Sequence, residues 1–294
     1  MRAQIIAGHG RHYLADIGSA QPLQAYPRSK RSEYAVGDWV QLERASGDQA
    51  SIVALEERQS LLYRSDAYRQ KLLAANLTQL IVVLATEPHF SEDFLGRALT
   101  AAGAIDLPVQ IVLNKTDLAT HLASSQQRLA YYAALGYPVH ALSAKTEPAQ
   151  VRDLLQPLIT RHITLLIGQS GMGKSSLLNL LVPDAQALTR EISTALGSGK
   201  HTTTTTRLYR LNGDTALVDS PGFQEFGLHH LSKSQLEHAF ADFTPYRGAC
   251  KFHNCRHASE PGCAIAQAVK EGRITPQRQQ LFGLLLHESE VQLT

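Results

Sequence analysis

Eight consecutive residues, Gly168-Gln169-Ser170-Gly171-Met172-Gly173-Lys174-Ser175, fit the spacing G-x-x-x-x-G-K-[ST] without a mismatch. Glycines at these places let successive backbone N–H groups wrap phosphate oxygens, and a following helix adds the positive end of its dipole. Lys174 is spaced to reach the β- and γ-phosphates, and the Ser175 hydroxyl to ligate Mg²⁺. A phosphate loop alone does not choose a base. Asn114-Lys115-Thr116-Asp117 supplies the choice. The Asp117 carboxylate can accept both the N1–H and the N2–H of guanine, a donor pair adenine lacks, and the wrong base leaves it unpaired. The Lys115 stem can lie over the base plane. Ser143-Ala144-Lys145 can offer a backbone N–H to guanine O6.

Asp219-Ser220-Pro221-Gly222 fits D-x-x-G, in which the carboxylate holds Mg²⁺ through water and the glycine amide senses the γ-phosphate. Taken alone, such a cluster also fits an ordinary turn. Between it and the phosphate loop lies Gly199-Lys200-His201-Thr202-Thr203-Thr204, a polar stretch suited to a loop that lends a threonine hydroxyl to Mg²⁺. Thr203 is the chosen ligand, though spacing does not separate it from its neighbours. Phe223 follows DSPG where Ras-like proteins place a water-orienting Gln, and Phe has no group for that task. His201 is the candidate to orient water, with an exposed loop histidine as the alternative.

A second chemistry sits near the C-terminus. Cys250-x4-Cys255-x-His257-x5-Cys263 brings three sulfurs and one imidazole into 14 residues, a complete set for tetrahedral Zn²⁺ with no open position. The chain holds only these 3 cysteines, and their clustering argues for a metal rather than a disulfide framework. His253 could stand in for His257 as the nitrogen ligand. Lys251, Arg256 and Arg247 surround the same loop.

These residues need strand ends to hold them. TQLIVVLA (78–85), VQIVLN (109–114), VHALSA (139–144) and ITLLIG (163–168) read as buried parallel strands with helical segments between them. SEDFLGRALTAAGA reads as a helix capped by Ser91, and TRLYRL with TALVDS as a hairpin. The alternation implies a doubly wound α/β domain, with each motif at the C-terminal edge of a strand. Before it, QIIA, HYLAD, LQAY, GDWVQLE and ASIVALEE form five short strands in about 60 residues, fitting an OB-fold in preference to an SH3-like barrel. Its loop YPRSKRS carries Arg28, Lys30 and Arg31, with Arg2, His9, Arg11 and His12 nearby. That loop is either a solvated surface or a contact for RNA phosphate. After DSPG, LSKSQLEHAFADF and TPQRQQLFGLLLHES read as helices, the second opening on Pro276.

The 294 residues carry 28 Lys+Arg against 26 Asp+Glu, a net charge of +2 spread evenly, which by itself does not announce a nucleic-acid binder. No apolar run is long enough to cross a bilayer, and the N-terminus lacks a secretory signal, so a cytoplasmic protein is expected.

The order of the motifs is informative. Familiar small GTPases run phosphate loop, switch threonine, DxxG, NKxD, SAK, whereas here NKTD and SAK come first. The domain is therefore circularly permuted, and the segment after DSPG leads directly into the C-terminal domain. The order NKTD, SAK, GQSGMGKSS, GKHTTT, DSPG and CKFHNCRHASEPGC, behind an N-terminus carrying GRHYL, closely resembles the ribosome small-subunit-dependent GTPase A family. The resemblance implies a bacterial GTPase acting late in small-subunit maturation. It would bind the 30S particle and its 16S rRNA, be stimulated by it, and hydrolyse GTP on leaving, with further assembly factors as partners. It assigns GTP to Asn114–Asp117 and Gly168–Ser176, Ser176 included, zinc to Cys250, Cys255, His257 and Cys263, and a part in hydrolysis to His201. The expected fold is a circularly permuted P-loop GTPase domain (63–228) between an OB-like β-barrel (1–62) and a zinc-binding, mainly helical domain (229–294), in a monomer. Two rival readings remain at this point: a nucleotide-gated RNA-binding module without useful hydrolysis, and a P-loop ATPase or kinase in which NKTD is accidental.

Overall fold

The computed structural model describes residues 1–9, 12–19, 21–29, 34–65, 70–182, 185, 206–221 and 226–291. Arg11, Lys30, Arg31, His201, Thr203, Gly222 and Phe223 lie outside them, as does the side chain of His9.

The five N-terminal strands form where their apolar alternation places them: β1 (Arg2–His9), β2 (His12–Asp16), β3 (Leu23–Pro27), β4 (Trp39–Arg44) and β5 (Gln49–Leu55). They pair in the order β1-β2-β3-β5-β4, and β4 returns to β1, so the barrel closes. Closure removes both sheet edges. Every second side chain turns inward, giving a core of Ala3, Ile5, Tyr13, Ala15, Leu23, Ala25, Val40, Leu42, Ala50 and Ile52. Only β3 and β5 run parallel within it.

Two strands bridge the expected boundary at residue 62. β6 (Leu61–Ser65) and β7 (Gln70–Ala75) make a separate antiparallel sheet that sequence inspection does not anticipate. LLYRS reads as neither a clean alternation nor an apolar run, because a register shift between Leu62 and Tyr63 breaks the period.

The α/β domain is built on β8 (Gln79–Ala85), β9 (Val109–Asn114), β10 (Val139–Ala141), β11 (Ile163–Ile167), β12 (Arg207–Asn212) and β13 (Thr215–Asp219), in the order β10-β9-β8-β11-β13-β12. All neighbours are parallel except the β12–β13 hairpin. Helices cover the faces: α1 (Glu92–Gly103), α2 (Leu122–Ala134), α3 (Pro148–Ile159) and α4 (Lys174–Leu181). Ser91 caps α1 by accepting from Phe94 N at 3.2 Å, with Glu92 and Asp93 in the first turn to meet the dipole. β10 is shorter than VHALSA, because the chain turns away after Ala141 to bring Ser143 and Ala144 into the site.

The C-terminal helices α5 (Lys233–Ala239), α6 (Ala264–Lys270) and α7 (Pro276–Val291) continue the core of the α/β domain. A Cβ at Gly103 would lie 2.8 Å from the Ala239 carbonyl, so glycine there lets α1 meet α5 closely. Phe240, Phe243 and Phe282 pack edge and face against one another, and Phe243 and Phe282 also pack against His257. Arg278, buried in α7, is held bidentately by Asp242 at 2.9 and 3.0 Å. No helix among the described residues is long and apolar enough to cross a membrane.

Candidate functional site

Four strand ends meet at one edge of the parallel sheet. β11 runs into the loop 168–173, and Lys174 opens α4. β9 ends on Asn114, β13 on Asp219, and the turn after β10 carries 143–145.

Asn114 joins three of these segments. Its Nδ2 donates to the Met172 carbonyl at 3.1 Å, and its Oδ1 accepts from Ala144 N at 3.1 Å. Gly173, at φ +87°, lies so close that a Cβ there would strike Asn114 Nδ2. Asp117 is oriented from the neighbouring segment: Ser143 Oγ donates to its Oδ1 at 2.6 Å, and the same hydroxyl accepts from Thr146 N at 3.3 Å. Asn114, Lys115, Asp117, Leu118, Ala144, Lys145, Gly173 and Ser176 line a cleft of about 400 Å³. That is room for a purine, with a directed carboxylate at one wall and an apolar floor.

Lys115 stands in the left-handed region at φ +63°. Its carbonyl accepts from Thr86 Oγ1 at 2.7 Å, and its Nζ donates to the Glu87 carbonyl at 2.8 Å. Its stem is thus held by the loop after β8. On the phosphate side, Lys174 is 8% exposed and ion-paired with Asp219, itself 3% exposed. A phosphate entering the loop would compete with Asp219 for that ammonium. Ser220 Oγ donates to the Leu166 carbonyl at 3.0 Å, fastening the DSPG turn to the strand beneath the phosphate loop. Ser170, Gly171, Ser175 and Ser176 remain exposed along the loop.

The expected ligands Cys250, Cys255, His257 and Cys263 converge, their donor atoms all within 4.8 Å of one another. His257 Nδ1 lies 3.5 Å from Cys250 Sγ and 3.7 Å from Cys263 Sγ. His253, exposed on the loop tip, is not among the group. The surroundings suit thiolates. Ala264 N donates to Cys250 Sγ at 3.4 Å, and Ala266 N to Cys263 Sγ at 3.3 Å, where α6 begins. Burial pushes the Cys255 thiol up to about 12, a cost that a bound cation would remove. A Cys₃His donor set at this spacing fits a metal.

Several supporting residues escaped the sequence. Glu237 Oε1 meets His257 Nε2 at 3.0 Å, and Gln279 Nε2 donates to the His257 carbonyl at 2.7 Å. Gln169 Oε1 accepts from Ser91 N at 3.2 Å, tying the phosphate loop to α1. Glu237 and Gln279 belong to no motif, and the motif that contains Gln169 does not announce its bond to Ser91. A glutamate one helix before a cysteine cluster was the nearest available signal, since metal-bound histidines usually carry a carboxylate on the second nitrogen.

A phosphate loop, NKTD and SAK joined on one sheet edge, delivered in rotated chain order, define a circularly permuted GTPase. The model of the RsgA GTPase family matches residues 55–229. The chain is 56% identical over 289 residues to the small ribosomal subunit biogenesis GTPase RsgA of Burkholderia pseudomallei (strain 1710b), covering 98% of this chain and 92% of that one. It is 58% identical over 292 residues to the protein of the same description from Paraburkholderia phytofirmans, covering 97% and 92%. The crystal structure of YjeQ from Thermotoga maritima superposes with a TM-score of 0.73 at 26% identity, covering 98% of both chains. That of YloQ, described as a circularly permuted GTPase, gives 0.69 at 25% identity, covering 98% and 94%. The chain belongs to the RsgA GTPase family and is a GTP hydrolase.

Proposed function

We propose that this protein binds the small ribosomal subunit through 16S rRNA late in its maturation and couples GTP hydrolysis to its own release. The observation that carries the reading is the joining of phosphate loop, NKTD and SAK through Asn114, in a domain whose core runs on into a Cys₃His module. The relatives described as small ribosomal subunit biogenesis GTPases support the choice of particle.

In this reading the chain divides into a barrel (1–62), a permuted GTPase domain (63–228) and a zinc domain (229–294). Asp117 reads guanine, with Asn114, Lys115, Thr116, Ser143, Ala144 and Lys145 shaping the base pocket. Gly168, Gln169, Ser170, Gly171, Met172, Gly173, Lys174, Ser175 and Ser176 cradle the phosphates. Magnesium, when bound, would neutralise phosphate charge, held directly by Ser175 and Thr203 and through water by Asp219. Gly222 senses the γ-phosphate and His201 orients the attacking water. Cys250, Cys255, His257 and Cys263 hold one structural Zn²⁺. The barrel and the zinc module dock on rRNA in a protein that works as a cytoplasmic monomer, with other assembly factors as further partners.

Measuring GTP turnover with and without 30S subunits tests the proposal, together with sedimentation of the protein with 30S in GDP and in a non-hydrolysable GTP analogue. Stimulated turnover and tighter association in the analogue are expected. Turnover that ignores the 30S particle overturns the ribosomal part.

A further inference from the structure

We propose that Phe252, at the tip of the cysteine loop, is a stacking platform for one unpaired base of RNA, with Lys251 and Arg247 taking the flanking phosphates; this rests on the RNA-binding reading above. The ring stands out by its exposure. Among the described residues it is the only Phe, Tyr or Trp side chain left exposed, at 45% of its area. Its position is nevertheless held. Phe252 lies between Cys250 and Cys255, both in the metal cluster, so a bound cation would clamp the loop on either side. Lys251 N donates to the Gly262 carbonyl at 3.0 Å, and Cys255 N to the Phe252 carbonyl at 3.2 Å. A ring displayed on so short and tethered a loop loses little conformational entropy when something covers it.

The charge around the ring selects the partner. Phe252 shares a hollow of about 490 Å³ with Lys233, Arg247, Lys251 and His253. The one carboxylate there, Glu237, is already engaged by His257 at 3.0 Å and Lys233 at 3.3 Å. Lys251 makes no ion pair among the described residues, and its Nζ stands 5.5 Å from the Phe252 ring centre. Arg247 spends one N–H on the His238 carbonyl and meets no carboxylate among the described residues. Elsewhere on this module the arginines are matched, Arg256 by Glu290, Arg273 by Glu271 and Arg278 by Asp242. An exposed ring flanked by unmatched cations fits an anionic chain that carries aromatic faces. Duplex RNA hides its base faces in the stack, whereas an unpaired nucleotide offers one.

The test uses the full zinc-loaded chain and a labelled 12-nucleotide oligouridylate, with a 12-base-pair RNA duplex as the second probe. F252A should weaken oligouridylate binding by about tenfold to a hundredfold and leave duplex binding within about twofold. F252L should lose as much as F252A, because leucine keeps the apolar area but offers no π-face, while F252W should bind at least as well as the parent. In a W39F background the new indole is the chain's only tryptophan, and oligouridylate should quench it. K251A should lower the salt dependence by about one phosphate contact. Equal binding by parent and F252A, or full retention by F252L, overturns the stacking role while leaving the RNA reading in place. A parent that binds neither probe nor 30S overturns both.

Discussion

Asn114 donates to the carbonyl of Met172 at 3.1 Å, so a residue of the base-reading motif directly supports the phosphate loop 58 positions further along the chain. With Ala144 N donating to its Oδ1, this amide is a buried joint, 2% exposed, rather than a ligand group alone. Asn114→Ala removes both bonds and strands the buried Met172 carbonyl, at about 1–3 kcal/mol, along with the partly buried Ala144 N–H. We expect a lower denaturation midpoint without nucleotide and a loss of GTP affinity of at least about tenfold. A titration showing weakened nucleotide binding with unchanged stability would remove the joint and leave a ligand role only.

In the proposed reading Asp117 contacts the base alone. Asp117→Asn replaces an acceptor pair with one acceptor and one donor, so GTP should bind about a hundredfold more weakly. Xanthosine triphosphate, which carries a carbonyl where guanine has its amino group, should bind better than to the parent. Competition binding with the two nucleotides is the measurement.

The Lys174–Asp219 pair makes a different demand. Both side chains are almost fully buried, at 9% and 4% exposure, and an ammonium left without its partner in such a place is costly. Asp219→Asn should destabilise the nucleotide-free protein by about 3–5 kcal/mol in urea unfolding. Much of that loss should return in GTP, because the phosphates give the ammonium another partner.

Glu237 touches no expected metal atom, yet it fixes His257 by its Nε2 and so presents Nδ1 to the three sulfurs. Glu237→Gln should lower zinc affinity by about tenfold to a hundredfold in chelator competition. Complete zinc removal should loosen the packing of Phe243 and Phe282 against His257, seen as lost near-ultraviolet dichroism.

His230 sets a pH dependence. Its ring lies tilted against Tyr63, and Ser65 Oγ, which accepts from His230 N at 3.0 Å, meets Nδ1 at 2.7 Å. Burial, then the neighbouring His229, pushes its pKa down from 6.5 to about 4. The folded ring therefore stays neutral in a range where the unfolded one takes up a proton, and stability falls as pH drops from about 6.5 to about 4. His230→Gln should flatten that limb of the stability profile, and an unchanged slope would assign it to other groups.

The local chemistry was readable from the chain because each part of it is short. A continuous apolar run such as 79–85 is buried on both faces of any parallel sheet. A cap such as Ser91 acts within three residues, and the phosphate loop, NKTD and the Cys₃His spacing each carry their geometry within a single segment. Alternation alone likewise placed the five barrel strands. What spans the chain was not readable. The β6–β7 sheet hides behind a register shift. Arg97 of α1 reaches Glu288 of α7 at 2.6 and 2.9 Å across 191 positions, with no local pattern to announce the pair. Glu237 becomes a support for His257 only when α5 lies against the cysteine loop. Residue type and spacing determined which chemistries this polypeptide can perform, since backbone conformation and ligand character are local properties. Tertiary packing decided which distant side chains hold those groups in place, because burial and long-range pairing depend on where every other element comes to rest.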